Sequence, residues 1–228
     1  MAIATIGLPL TFTFSGEPGG GRHSPTVFSV TMGSQPVLVV GGYKAVTSGG
    51  VTTDEVVTQI LFSAASGGPW TLGPTTLGPN FVRVSPNFKT TKVNLQGVAG
   101  NLNGGYVANY NWQNPVTGAF GNVLDFVSSS GVVQTTYTPP AGTGNLSFIS
   151  GYVQLANGNF LLTVDEGSFS ASTDVFSSAT FTNLAVHTIL LDASGNAIGS
   201  EKVVSQATPT STSGEFGVAL IQTAGGSL

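Results

Sequence analysis

The 228-residue chain contains no cysteine, which excludes disulfides, thiolate catalysis and any Cys-ligated metal. It also has little charge. Asp, Glu, Lys and Arg make up 7% of residues, against roughly 25% in an ordinary soluble domain. The basic residues (Arg22, Lys44, Arg83, Lys89, Lys92 and Lys202) are scattered. Nothing can therefore replace counterions along a phosphate backbone, and nucleic acid is excluded as a partner. The net charge of −4 argues in the same way against an anionic membrane surface. No apolar run reaches the roughly 18 residues of a membrane span, so no membrane insertion is expected. The start of the chain, Met1-Ala-Ile-Ala-Thr-Ile-Gly-Leu-Pro-Leu10, lacks the basic region of a secretory signal.

Glycine is abundant, with 32 residues, about twice the usual ~7% share. Short β-branched or aromatic runs alternate with Gly, Pro, Asn and Ser turns, which predicts strands at 27–31, 36–40, 56–62, 93–96, 105–110, 123–127, 160–164 and 187–191. Helix should be nearly absent. A folded monomer of 23.1 kDa exposes on the order of 9,700 Å² by mass scaling. Its 6 basic and 10 acidic residues then stand roughly one per 600 Å². So sparse a charged surface favours self-association.

A turn recurs at fixed spacing: Phe62-Ser-Ala-Ala-Ser-Gly67, Phe126-Val-Ser-Ser-Ser-Gly131 and Leu190-Leu-Asp-Ala-Ser-Gly195, with 131 − 67 = 64 and 195 − 131 = 64. Asn103-Gly104 and Asn157-Gly158, 54 apart, each open a strand and predict type I′ hairpins. Met32-Gly-Ser-Gln-Pro-Val-Leu-Val-Val40 is a degenerate earlier copy, and 219–228 a final half-copy. A period of this size marks a repeat architecture. The expected fold is all-β, built from repeated four-stranded antiparallel units like propeller blades, three and a half units of about 64 residues. The expected divisions are an N-terminal strand and Gly-rich linker (1–26), three β repeats (27–216) and a C-terminal half-repeat (217–228). Segments 44–54 and 168–183 read as exposed loop insertions between hairpins, where a binding surface usually lives.

The third unit resembles repeats of large secreted or surface proteins of bacteria, the type I-secreted, RTX-class adhesins. The likeness rests on Leu155, Asn157, Gly158, Phe160, Leu161 and Leu162, then on Leu191, Asp192, Gly195, Ile198, Gly199, Glu201 and Val204. The middle unit matches through Leu102, Asn103, Gly104, Tyr106, Val107, Tyr110 and Gly131. The family's Trp after the first strand is Val164 here, and no calcium nonapeptide is present. The resemblance implies an extracellular or cell-surface, bacterial, non-enzymatic β-repeat protein used for adhesion or surface structure.

Few residues suggest chemistry. His23 and His187 are the only histidines, and neither has a carboxylate partner at a repeated spacing, which makes a poor metal or triad case. His187 reads as an ordinary strand histidine. The acid pairs Asp54-Glu55 and Asp165-Glu166 point to opposite strand faces, so neither forms a glycosidase pair. Asp165 and Glu166, with Asp174, would flank one loop and offer oxygen ligands to a Ca²⁺ ion, and no other cofactor is expected. Asp192 caps a tight turn. Tyr110, Trp112 and Asn114 form the most sugar-binding stretch, with Trp70, Tyr106 and Tyr152 as further rings; core packing is the competing reading of all these aromatics.

No catalytic residues are expected. The chain reads as a structural protein that assembles with itself by β-strand complementation into a fibre, matrix or surface layer. Thr5, Ile6, Leu8, Leu10, Phe12 and Phe14 would meet Val218, Leu220 and Ile221 between subunits. The alternative is a carbohydrate-binding lectin or adhesin with a propeller-like or trefoil-like body, working through Tyr110, Trp112 and the 44–54 segment on glycans or a cell surface.

Overall fold

The structure, a computed structural model, describes residues 26–49, 51–63, 70–82, 92–113, 120–140, 146–170 and 180–206. Among them are twelve strands and no helix, hence no helix long and apolar enough to cross a membrane. The strands form three antiparallel four-stranded meanders. The first is β1 (Thr26–Met32), β2 (Gln35–Ser48), β3 (Val51–Ser63) and β4 (Trp70–Val82). The second is β5 (Lys92–Asn101), β6 (Gly105–Gln113), β7 (Phe120–Val127) and β8 (Val133–Tyr137). The third is β9 (Leu146–Gln154), β10 (Phe160–Ser170), β11 (Thr180–Leu191) and β12 (Lys202–Gln206). A single parallel pair, Phe120 with Leu146, joins the second and third along the ladder.

The meanders stack face to face, with the second in the middle. Strand alternation sends Val30, Met32, Val37, Val39 and Ile60 of the first sheet onto Tyr106, Ala108, Tyr110 and Val127 of the second. The opposite face of the second sheet sends Val107, Leu124, Phe126 and Tyr137 onto Ile149, Phe160, Leu162, Val164, Ile189 and Leu191 of the third. Cover on both faces explains the unbroken apolar runs at 106–108 and 123–124, where a half-exposed strand would alternate. Each fully buried aliphatic or aromatic side chain here contributes about 1.5–3 kcal/mol by removal from water.

A chain of hydrogen bonds also ties the first sheet to the second. The Tyr106 hydroxyl donates to Thr76 Oγ1 at 3.0 Å, and Thr76 Oγ1 donates to the Gly131 carbonyl at 2.8 Å. With its one proton so used, Tyr106 accepts from Thr58 Oγ1 at 2.6 Å. Burial raises the Tyr106 phenol, against the lowering by its two threonine partners. Between the second and third sheets, the buried Asn122 side chain bonds both backbone groups of Ile149, accepting from its N–H at 2.9 Å and donating to its carbonyl at 3.3 Å.

Four hairpins use one turn, and it differs from the expected type I′. Each has three loop residues with glycine third: Gly104, Gly131, Gly158 and Gly195. The glycine N–H bonds the carbonyl three residues back, at 2.8–3.0 Å, and the glycine φ is +79° to +91°. This is a type I turn closed by a left-handed residue. Asn103 and Asn157 thus occupy the middle of a three-residue loop, and only the glycine after each carries the positive φ that the turn needs.

Two segments expected as loops are strand. Residues 44–48 and 51–54 pair across the β2–β3 hairpin from Lys44–Glu55 to Ser48–Val51. Residues 168–170 and 180–182 likewise extend the β10–β11 ladder, while 171–179 lie outside the described residues. The meanders start at 26, 92 and 146, spacings of 66 and 54. Hairpin length varies from unit to unit, whereas the third-hairpin glycines Gly131 and Gly195 keep their separation of 64. The first copy of that turn, at 64–67, lies outside the described residues.

Candidate functional site

The third sheet gathers the titratable cluster. Glu166 lies on the β10 face that also carries Leu162 and Val164, where a core position would continue towards the sheet end. His187 pairs with Val164 across the β10–β11 ladder, and Glu166 pairs with Ala185, so the imidazole and the carboxylate are diagonal neighbours. Glu201 comes from the segment that enters β12, next to Lys202, which pairs with Thr188. The His187 Nε2 lies 3.7 Å from Glu166 Oε2, and Nδ1 lies 3.7 Å from Glu201 Oε2. The three side chains are only 14–18% exposed. One ligand atom from each falls within 4.8 Å of the others.

The surroundings are unusually polar for the end of a core. Tyr137, reaching over from the second sheet, is 9% exposed, and its hydroxyl is buried without a hydrogen-bond partner. Burial, then the negative charge of Glu201 and Glu166, pushes its phenol up to about 12. Ser147 stands directly opposite Glu166 in the β9–β10 ladder, and its Oγ is also buried and unpartnered. Burial raises the Glu201 carboxyl, repulsion from Glu166 adds to this, and attraction to His187 opposes it. Chemically, the cluster can share a proton between imidazole and carboxylates or ligate a cation.

The cation site expected from Asp165, Glu166 and Asp174 is described only at its first two residues. Asp165 is buried, 1% exposed, on the strand face opposite Glu166, and Asp174 lies outside the described residues. His187 is a strand histidine as expected, but with two carboxylate neighbours that no local motif announces. Asp192 is the turn cap: its Oδ1 accepts from the Ser194 N–H at 2.8 Å and the Asn196 N–H at 2.9 Å. The Asn196 side-chain amide, donating to Oδ2 at 3.0 Å, leads these backbone bonds in holding the carboxyl below the ordinary value.

The sugar-binding stretch divides. Tyr110 is fully buried between the first and second sheets, so its ring presents no face to a glycan; core packing explains it and Tyr106. Trp112 lies on β6, and Asn114 is outside the described residues. The assembly residues Thr5, Ile6, Leu8, Leu10, Phe12, Phe14, Val218, Leu220 and Ile221 also lie outside them, as does His23.

One other surface feature is an open edge. Among the described residues β12 pairs only with β11, and it carries Val203 at 59% and Val204 at 63% exposure. Comparison with protein-family models, with curated proteins and with solved structures finds no match.

Proposed function

We propose that this chain is an extracellular, non-enzymatic structural protein that assembles with its own copies by adding strands to open sheet edges, forming a fibre, matrix or surface layer. The observation that carries this reading is β12. Sheets that stay monomeric blunt their edges with charge, proline or cover. Here the edge sequence is Lys202-Val-Val-Ser-Gln206, with one charge at its start and two exposed valines.

Three supports surround that observation. A face-to-face stack of four-stranded meanders is compatible with propeller blades, yet three units fall below the roughly four at which such rings close. The chain carries apolar segments at 5–14 and 217–228 of a length and composition suited to strand addition. A surface with 7% charged residues suits contact with copies of itself. The extracellular assignment rests on the third unit's resemblance to secreted adhesin repeats.

Light scattering of the purified chain, followed by negative-stain imaging, tests the reading. Filaments or large regular oligomers are expected, and deletion of residues 1–14 should abolish them while the β-sheet circular dichroism persists. A 23.1 kDa monomer at all concentrations overturns the proposal, and so does assembly unaffected by the deletion.

A further inference from the structure

We propose that Glu166, His187 and Glu201 form a binding site for a single divalent transition-metal ion of the Zn²⁺ type, with the hydroxyls of Tyr137 and Ser147 on its wall. Three separate stretches of the third sheet supply one carboxylate, one imidazole and one carboxylate, with a ligand atom of each within 4.8 Å of the other two. Ligands around a tetrahedral Zn²⁺ stand about 2.0–2.2 Å from the ion. Glu166 faces Nε2 and Glu201 faces Nδ1, each at 3.7 Å, so one ring nitrogen takes the ion and the glutamate on the other side closes from within 4.8 Å, by rotamer adjustment of side chains that are 14% and 18% exposed.

The second observation is independent of those ligands. Two buried polar atoms outside the ligand set lack any hydrogen-bond partner, the Tyr137 hydroxyl and Ser147 Oγ, as does Oε1 of the ligand Glu201. An orphaned buried polar atom costs about 1–3 kcal/mol, and such atoms in a native protein require an ion, a water or a function to explain them. Tyr137 feels the charge of Glu201 and Glu166, and Ser147 stands opposite Glu166 in the ladder, so both unpartnered hydroxyls fall beside the carboxylates and point to a ligand there. Tyr137 is the sharpest case, because it is more than nine-tenths buried.

Charge fixes the sign of that ligand. Among the described residues neither glutamate has a Lys or Arg partner, and His187 is the sole positive candidate. A dication balances two carboxylates and leaves the imidazole neutral, as a metal ligand must be. The imidazole also selects the ion, since Ca²⁺ and Mg²⁺ take oxygen ligands and Zn²⁺ takes nitrogen and oxygen together. A bound ion would clamp β10 and β11 to the residue that leads into β12.

Isothermal titration of the metal-stripped full chain with ZnCl₂ at pH 7, in a non-chelating buffer, tests the site. One ion per chain is expected, together with a metal-dependent rise in melting temperature. His187→Gln and Glu201→Gln should each weaken binding at least ~10-fold, since even residues behind the ligands of a metal carry 10–100-fold. Asp192→Asn, a carboxylate in a neighbouring turn, should leave affinity unchanged. Melting of each metal-free variant shows that it still folds. Absence of saturable binding overturns the proposal. Unchanged affinity in folded H187Q and E201Q overturns it too, as does Ca²⁺ binding that matches Zn²⁺ and ignores H187Q, the signature of a purely acidic site. Failure here leaves the oligomer mass, which tests the assembly proposal, untouched.

Discussion

Gly195 of the third sheet lies against the ring of Phe126 in the second, so close that a Cβ at 195 would stand 2.5 Å from the aromatic edge. One repeat earlier, Gly131 stands in the same relation to Pro74 of the first sheet, with a Cβ-to-Cβ approach of 2.6 Å. Both glycines thus serve two ends: the left-handed φ of the hairpin and the seating of that hairpin on the preceding sheet. Gly195→Ala should destabilise by roughly 2–4 kcal/mol, combining backbone strain with overpacking. Gly199→Ala is the control, with φ +77° and nothing within 4 Å of its Cβ; it should cost only the conformational part, about 1–2 kcal/mol. Urea denaturation of both variants measures the difference, and equal losses would remove the packing role.

Tyr106→Phe should cost about 1–3 kcal/mol by breaking the chain Thr58–Tyr106–Thr76–Gly131 at its centre and leaving the buried Thr58 hydroxyl without its acceptor, while Thr76 keeps the Gly131 carbonyl. The chain crosses the interface of the first two sheets, so the loss should appear as weaker coupling between them. Thr58→Val removes one end, and the double variant should lose less than the sum of the singles. Strict additivity would show that the hydroxyls act independently.

Much of this fold is legible in local pattern. The alternation at 27–31 and the turn glycines mark β1 and the hairpins, because burial on one face and a positive φ each demand particular residues at short range. β4 is hidden by Gly73-Pro-Thr-Thr-Leu-Gly-Pro79, where glycine and proline read as chain breakers. The sheet tolerates both prolines since β4 pairs only with β3 among the described residues, and its ladder shifts register beside them. The cluster is hidden for another reason. Glu166, His187 and Glu201 are 21 and 14 residues apart, and only the β10–β11 register and the return into β12 bring them together.

Two aspartates should give opposite pH dependence. Burial raises the Asp125 carboxyl above the ordinary 3.8, with only the Thr136 hydroxyl opposing the shift. The folded state therefore favours the neutral form, and the destabilisation present above the raised value is relieved as pH falls towards 3.8. Asp192 is lowered from 3.8, so its stabilisation is complete above that value and is lost as pH falls through the lowered one. Asp125→Asn should raise the melting temperature at pH 7 and lose that advantage near pH 4. Asp192→Asn should lower it at pH 7 and match the parent in stronger acid. Melting curves from pH 3 to 8 decide, and an Asp125→Asn defect at pH 7 would refute the burial account.

The β12 edge gives the most direct test of assembly. Val203 and Val204 are exposed, so changing them removes little buried surface, and surface substitutions of this kind usually stay within about 0.5 kcal/mol. Lysine at an edge, in contrast, blocks strand addition, because docking another strand would bury its charge. The double variant Val203→Lys, Val204→Lys should therefore keep its melting temperature within a few degrees while its scattering mass falls towards that of one chain. An unchanged assembly would move the contact away from β12. A collapse of the melting temperature would show instead that both valines are packed in the folded subunit.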